Sequence, residues 1–310
     1  LEAKKYYQQL INQGNNDHRI FSNYGAILHG QGMLKEAIEF YQKALSLRSD
    51  YTDAYNNLAL AYQKQGNLDE AIKAYKKVIF FNPKCIEAYN NLGAAYQKKR
   101  EPKKAIEFYK KVLSLKPDYV EALNNIAVSY TDQGNLEEAI EACEKALLLK
   151  SDYFEAYFNL GNAHLADQGR LKQAIVCYEK ALSLKPDYAE ALNNMGYALK
   201  DQGKVKEAIE VYEKALSINP DYADAYLNLG IAFSDQNKLK DAIVFYEKAL
   251  LLEPDCAPAR GQKLHQQSNI CDWSSVDADS SYFAELGVKG KAIPPFSMLS
   301  LEDNPERHRL

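Results

Sequence analysis

The sequence predicts an all-α fold: a solenoid of antiparallel helix pairs built from 34-residue repeats. Two series of small residues support this prediction, because each returns every 34 positions apart from one step of 35. The third observation is the pair of helix-breaking signals, Gly66 and Pro83 in the second repeat, that divide a repeat into two helices. Repeats of this kind bury their apolar faces against their neighbours, so function is expected on a long repeated surface. The first series is Gly25, Ala59, Gly93, Ala127, Gly161, Gly196 and Gly230, and the second is Ala3, Ala37, Ala71, Ala105, Ala139, Ala174, Ala208 and Ala242.

The second repeat shows why each half should be helical. Asp50 is expected to accept hydrogen bonds from the free N–H groups that begin the first helix, and Asp53 lies where the helix dipole favours a negative charge. Gly66, in a left-handed conformation, should end that helix, and Pro83 should end the next one. Apolar residues recur at helical spacing: Tyr55, Leu58, Ala59 and Tyr62 on the first helix, and Ala71, Ile72, Tyr75, Val78 and Ile79 on the second. Similar acidic pairs occur at Asp118 with Glu121, Asp187 with Glu190, and Asp221 with Asp224, and the glutamate cases resemble capping boxes.

Three local departures from the pattern are expected to leave the fold intact. Arg100 and Glu101 replace the usual glycine turn, and Pro102 suits the first position of the helix that follows. Cys143 stands where other repeats carry a tyrosine. One residue is inserted near Leu165, which should alter the end of that helix.

The repeat pattern resembles the tetratricopeptide repeat family. The resemblance extends to about residue 256, and it implies a right-handed superhelix whose first helices line the concave wall. The predicted organisation is a superhelix over residues 1–272 and a tail over residues 273–310. The matching positions in one repeat are Tyr55, Leu58, Ala59, Tyr62, Ala71, Tyr75, Val78 and Pro83. The superhelix comprises a half repeat at 1–17, seven repeats at 18–51, 52–85, 86–119, 120–153, 154–188, 189–222 and 223–256, and a capping helix at about 257–272.

Composition excludes several classes of partner. The formal net charge of −4 at pH 7 gives no basic footprint for nucleic acid, and no apolar run is long enough to cross a membrane. The opening residues already follow the repeat instead of a signal-peptide pattern. The first residue is not Met and residues 1–17 read as half a repeat, so the sequence is expected to be a fragment of a longer protein.

Cysteine usage indicates the compartment. The five cysteines are odd in number and form no CxxC pair, so neither a disulfide framework nor a zinc site is predicted. No cofactor is expected, and a reducing cytoplasm is the expected location. The cysteines are Cys85, Cys143, Cys177, Cys256 and Cys271.

An asparagine lies two residues before the small residue of every repeat. Packing does not require it, and a carboxamide can both donate and accept hydrogen bonds. On a concave wall, such a row would match the N–H and C=O groups of an extended peptide about every third residue, since helices pack roughly 8–10 Å apart and a strand advances roughly 3.3–3.6 Å per residue. The predicted peptide-binding residues are Asn23, Asn57, Asn91, Asn125, Asn159, Asn194 and Asn228.

Two interpretations of this asparagine row stay open. In the first, the carboxamides bind a guest peptide with little sequence preference, because each contact involves only the main chain. In the second, they bond across neighbouring repeats or to water and stiffen the superhelix.

Four aspartates near the ends of first helices extend the candidate surface. They would favour partners with hydroxyl or basic groups, and the alternative is a solvated acidic edge. These residues are Asp132, Asp167, Asp201 and Asp235.

The tail carries a second resemblance. The segments Cys271–Trp273 and Pro295–Ser297, with Leu299, Asp303 and Pro305, are similar to the linker of the O-linked N-acetylglucosamine transferase and SPINDLY family of glycosyltransferases. In that family a tetratricopeptide superhelix with an asparagine-lined groove precedes the catalytic module. The resemblance implies that the parent protein transfers a sugar to Ser or Thr of proteins, with the catalytic module beyond Leu310.

No catalytic constellation is found, so this chain itself is not predicted to be an enzyme. Its glycines stand singly at turns, and its histidines lack ligand spacing. The leading hypothesis is a superhelix that presents protein substrates to a glycosyltransferase. The alternatives are a free-standing adaptor for one dedicated partner, and a homodimerisation module that uses the convex surface.

Overall fold

The computed structural model describes residues 2–270, and these residues are almost entirely helical. The described residues divide into two compact units, with the boundary between Ser151 and Asp152. The first unit contains α1 (Glu2–Asn12), α2 (His18–Gly30), α3 (Leu34–Leu47), α4 (Thr52–Lys64), α5 (Leu68–Phe81), α6 (Ile86–Lys98), α7 (Pro102–Leu115), α8 (Val120–Asp132) and α9 (Leu136–Leu149). The second contains α10 (Phe154–Ala166), a 3₁₀ turn (Gln168–Arg170), α11 (Leu171–Leu184), α12 (Ala189–Asp201), α13 (Val205–Ile218), α14 (Ala223–Asp235), α15 (Leu239–Leu252) and α16 (Ala257–Asn269).

Each repeat is a pair of helices, as the sequence predicts, and the all-α solenoid class is confirmed. The second helix of most repeats places a tyrosine at its buried centre, against the first helix. These tyrosines form the largest fully buried side chains of the two cores: Tyr41, Tyr75, Tyr109, Tyr178, Tyr212 and Tyr246.

The turns between paired helices follow the predicted chemistry. Gly66 adopts a φ of +87°, and Arg100 and Asn237 adopt a φ of +59° at the equivalent turn. Helix α7 begins at Pro102, as expected for a proline at the first helical position. The inserted residue near Leu165 is absorbed by the 3₁₀ turn that follows α10, so the altered helix end is also confirmed.

The predicted aspartate caps are wrong. Helix α4 is capped by Tyr51 with no side-chain hydrogen bond, and Asp50 instead accepts from Arg48 Nε at 2.8 Å. The helices α8, α12 and α14 likewise start after a tyrosine without a side-chain cap. The helix begins one residue later than the aspartate requires, so the carboxylate lies outside the capping position.

Several first helices of successive repeats approach one another within each unit. Helix α2 contacts α4 and α6 contacts α8 in the first unit, whereas α10, α12, α14 and α16 contact in succession in the second. Among the described residues, successive second helices make no comparably extensive contact and pack on first helices instead. Within each unit, neighbouring first helices therefore approach one another more closely than neighbouring second helices do.

Candidate peptide-binding surface

The seven asparagines of the predicted row share one structural position. Each is the sixth residue of a 13-residue first helix. Asn23 is exposed, and the other six are partly exposed. Because their helices are equivalent in length, each carboxamide leaves the corresponding face of its own helix. The helices are α2, α4, α6, α8, α10, α12 and α14, in the order of Asn23, Asn57, Asn91, Asn125, Asn159, Asn194 and Asn228.

Several asparagines of the row bond to the preceding helix pair. Asn194 Nδ2 donates to Asn162 Oδ1 at 2.9 Å, and Asn228 Nδ2 donates to Asn193 Oδ1 at 3.0 Å. The carboxamides of this part of the row thus link neighbouring repeats of the second unit, as the stiffening interpretation expects. The first unit has two further links: Asn23 Nδ2 donates to the Tyr7 hydroxyl at 3.1 Å, and Asn125 Nδ2 donates to Asn90 Oδ1 over a longer 3.5 Å.

Two members of the row have unused hydrogen-bonding capacity. Within residues 2–270, the carboxamides of Asn57 and Asn91 make no side-chain hydrogen bond, although both are only partly exposed. Asn228 keeps an unused oxygen, since only its nitrogen is engaged. The same row therefore supplies both inter-repeat links and open donors and acceptors.

A second row of polar residues was not predicted from the sequence. Asn90, Asn124 and Asn193 precede the predicted asparagines by one residue, and Asn124 and Asn193 are 7% and 6% exposed. Asn90 and Asn193 accept from the next repeat, and the buried Asn56 Oδ1 has no partner in the described chain. The sequence signal for this second row is the Asn-Asn dipeptide, which recurs in four repeats.

The four aspartates of the candidate surface are not equivalent. Asp167 caps the 3₁₀ turn by accepting from Gly169 N at 3.2 Å, and it pairs with Arg170 at 3.1 Å. Asp201 pairs with Lys200 at 2.8 Å. These two carboxylates are therefore already engaged.

The remaining two aspartates end their helices without an ion pair. Asp132 ends α8 and Asp235 ends α14, and neither carboxylate pairs with a cation within the described part of the chain. Partial burial raises the pKa of the Asp132 carboxyl. Asp132 lines a cavity of about 750 Å³ together with Lys98, which ends the preceding first helix α6. Charges of both signs therefore line this cavity of the first unit, which the sequence pattern did not predict.

The described residues contain neither a metal-binding cluster nor a membrane-spanning helix. In residues 2–270, no group of three or more His, Cys, Asp or Glu side chains is placed to hold a metal ion. No helix of that same range has both the length and the apolar character needed to span a bilayer.

The helix pairs, their common register and their glycine turns define a tetratricopeptide repeat domain. The family model of the cilia and flagella-associated protein 70 C-terminal domain matches residues 49–270, and the chain belongs to this family. A tetratricopeptide repeat model also matches residues 16–79. No curated protein sequence matches the chain.

Solved structures share this fold. A tetratricopeptide repeat protein from Parabacteroides merdae is 19% identical with a TM-score of 0.69, covering 79% of this chain and 97% of its own. The pilF protein of Pseudomonas aeruginosa is 24% identical with a TM-score of 0.57, covering 69% and 96%. A chain of the APC/C hetero-tetramer Cut9-Hcn1 is 15% identical with a TM-score of 0.65, covering 85% and 52%. Identities this low show the fold alone.

Proposed function

We propose that the chain binds extended peptide segments of other proteins along the asparagine row of its first helices. The observation that carries the proposal is the pair Asn57 and Asn91, which occupy the equivalent position of α4 and α6 and whose amide groups have no partner in the described chain. A polar group that is partly desolvated and unpaired gains a hydrogen bond when a guest main chain arrives. The chain is a protein-interaction domain of the tetratricopeptide type, and this surface is the proposed site of interaction.

Recognition through main-chain groups explains the residue type. A carboxamide offers one acceptor and two donor hydrogens, so it can pair with the N–H and C=O of any peptide unit. Each contact contributes about 1 kcal/mol, and several in series are needed for useful affinity. The engaged members of the row, such as Asn194 and Asn228, would hold neighbouring repeats at a fixed spacing while the others bind.

A displayed library of random twelve-residue peptides tests the proposal. Peptides selected on the wild-type chain are measured against the variant Asn57→Ala/Asn91→Ala. We expect roughly a 10-fold to 30-fold loss of affinity with unchanged helicity, since two contacts of about 1 kcal/mol each are removed. The control is Glu39→Ala/Glu107→Ala, which removes two exposed side chains of the second helices α3 and α7.

The chemistry of the guest provides a second measurement. Methylation of alternate peptide nitrogens should abolish binding at this row, whereas alanine substitution of single guest side chains should have small effects. The proposal would be contradicted if no selected peptide lost affinity on Asn57→Ala/Asn91→Ala, or if the affinity of the peptides that did lose it depended only on their side chains.

A narrower function is a second candidate: the substrate-recognition region of a protein glycosyltransferase, in a cytoplasmic protein. It rests on the tail segments Cys271–Trp273 and Pro295–Ser297, which lie outside the described residues, and on the asparagine row. The predicted cytoplasmic location rests on cysteine spacing alone. Translating the coding frame beyond Leu310 tests this candidate, because it requires a sugar-nucleotide-binding catalytic module there.

Two further alternatives concern partners. A free-standing adaptor would retain one dedicated protein, whose capture the Asn57→Ala/Asn91→Ala variant should abolish. A homodimerisation module would sediment as a dimer, and its association would be indifferent to that same variant.

A further inference from the structure

The penultimate residue of each second helix shows an unusual division between repeats. In four repeats this residue is a serine whose Oγ donates to the carbonyl oxygen three residues earlier, at 2.7 Å. In the other three it is Phe80, Leu148 or Leu251, with exposed fractions of 73%, 86% and 82%. The four serines are Ser46, Ser114, Ser183 and Ser217. A serine at this position forms a hydrogen bond to a carbonyl oxygen near the end of the helix, which an apolar side chain cannot do. The exposed apolar residues therefore require another explanation.

Phe80 differs from a lone exposed residue because it borders a cleft. The cleft has a volume of about 700 Å³ and lies between the second helices α3 and α5, with the first helix α4 as its floor. Leu45, Tyr55, Leu58 and Tyr62 provide its apolar lining. The volume accommodates one or two large side chains, and a mostly apolar concavity is the usual form of a binding pocket.

Aromatic contacts hold the wall of this cleft in place. The ring of Phe81 stacks on Tyr55 with centroids 6.0 Å apart, and it meets Phe80 edge to face at 5.1 Å. Phe80 therefore packs against Phe81, whose ring is held by Tyr55, although most of the Phe80 side chain is exposed to solvent. A preorganised aromatic beside a pocket is the arrangement found at the energetic centre of protein interfaces.

The rim of the cleft is basic. Lys73 is paired with Glu70 at 2.6 Å, whereas Lys76 and Lys77 make no ion pair with any described residue. Their ammonium groups lie over aromatic rings instead, Lys77 above Phe80 at 5.8 Å and Lys76 above Tyr96 at 5.9 Å. Two uncompensated positive charges beside an apolar concavity favour carboxylates on whatever covers it.

The cleft is separate from the asparagine row. At 100° per residue, Asn57 is about 100–160° around α4 from Tyr55, Leu58 and Tyr62. The two surfaces share a helix and face different directions, so they can be tested independently.

We propose that the cleft between α3 and α5 docks a partner segment in which a large apolar side chain is flanked by Asp or Glu. The apolar side chain enters between Tyr55 and Tyr62 and packs on Phe80. The flanking carboxylates pair with Lys76 and Lys77.

The experiment uses a displayed library of random twelve-residue peptides, selected on the full chain and then sorted on variants. Phe80→Ser introduces the residue that four other repeats carry at this position, so we expect the variant to fold. Lys76→Glu/Lys77→Glu reverses the rim charge. Leu251→Ser removes an equally exposed residue at the same helix position, and it is the matched control.

We expect a class of peptides rich in Phe, Leu or Trp beside Asp and Glu. Its affinity should fall at least 10-fold on Phe80→Ser and on Lys76→Glu/Lys77→Glu, and should remain within 2-fold on Leu251→Ser and on Asn57→Ala/Asn91→Ala. Circular dichroism must show wild-type helicity for each variant.

Three outcomes would overturn the proposal. The first is that no selected peptide is sensitive to Phe80→Ser. The second is that the sensitive peptides are basic or lack carboxylates. The third is a self-association, seen by sedimentation, that Phe80→Ser abolishes, because the occupant would then be a second copy of this chain.

Discussion

Gly93 and Tyr109 are in such close contact that no side chain fits between them. A Cβ built on Gly93 would lie 2.6 Å from Tyr109 Cε1, which is closer than Cβ atoms approach other heavy atoms in folded proteins. The same relationship joins Gly161 to Tyr178 at 2.6 Å and Gly230 to Tyr246 at 2.5 Å. In these three repeats the glycine therefore leaves the space that the tyrosine ring of the paired helix occupies.

Gly93→Ala is expected to destabilise the chain by about 1–3 kcal/mol, because the tyrosine ring or the helix must shift in a close-packed core. Chemical denaturation followed by circular dichroism measures the change. Gly30→Ala is the control, since Gly30 also lies in a first helix but has no atom within 4 Å of its added Cβ. A Gly93→Ala protein as stable as wild type would show that the ring moves freely and that the contact is unimportant.

Arg100→Gly is expected to raise stability by up to about 1 kcal/mol. Arg100 adopts a φ of +59°, a left-handed conformation that costs most L-residues roughly 1–2 kcal/mol and glycine almost nothing. Asn237 shares this φ, but asparagine tolerates it better, so Asn237→Gly should gain less. Thermal denaturation of both variants checks the order. A loss of stability in Arg100→Gly would mean that the arginine side chain contributes more than its backbone strain.

Stability should fall as the pH rises from about 10 to 12, partly through Tyr41. Burial raises the pKa of Tyr41 to about 12, against about 10 in an unfolded chain. The folded state holds the proton more tightly, so this contribution is complete below pH 10 and is lost as the pH rises through the folded value. Denaturant midpoints at pH 9 and pH 11 measure the loss.

Tyr41→Phe isolates this contribution to the alkaline loss. The Tyr41 hydroxyl has no hydrogen-bond partner in the described chain, so its removal should cost little at neutral pH. The variant should lose less stability than wild type between pH 9 and pH 11. Equal losses would assign the alkaline sensitivity to other groups, such as the exposed lysine ion pairs.

The sequence predicts the helix pairs well because their signals are local and repeated. The local signals are Gly66, Pro83 and Pro102. Each acts within one helical turn and ends or begins a helix, as its backbone chemistry predicts. The aspartate caps failed because a capping position is exact to one residue, and Asp50 misses it by one. The 34-residue period is set by how the repeats stack, and it does not specify which single residue caps a helix.

The candidate surface was only half predictable, since its chemistry depends on contacts between repeats. The sequence predicts Asn194 and Asn228 as one equivalent set with Asn57 and Asn91, yet the former donate to the preceding repeat and the latter do not. The apolar cleft at Phe80 was not predicted either. Its lining comes from three helices that only the fold brings together, so no local sequence pattern indicates it.

Asn228→Ala and Asn91→Ala separate the two roles of the asparagine row. Asn228→Ala removes the hydrogen bond to Asn193, a residue only 6% exposed, and should cost about 1 kcal/mol. Asn91→Ala removes no such bond and should stay within about 0.5 kcal/mol. Repeat proteins can open locally, so hydrogen exchange is the appropriate measurement of these stability changes. The amides of α12 and α14 report on Asn228→Ala, and the amides of α6 and α8 report on Asn91→Ala. The double variant Asn193→Ala/Asn228→Ala should cost less than the sum of its single changes. If Asn91→Ala instead loosened its repeats as much as Asn228→Ala, the whole row would be structural and the proposed peptide site would lose its support.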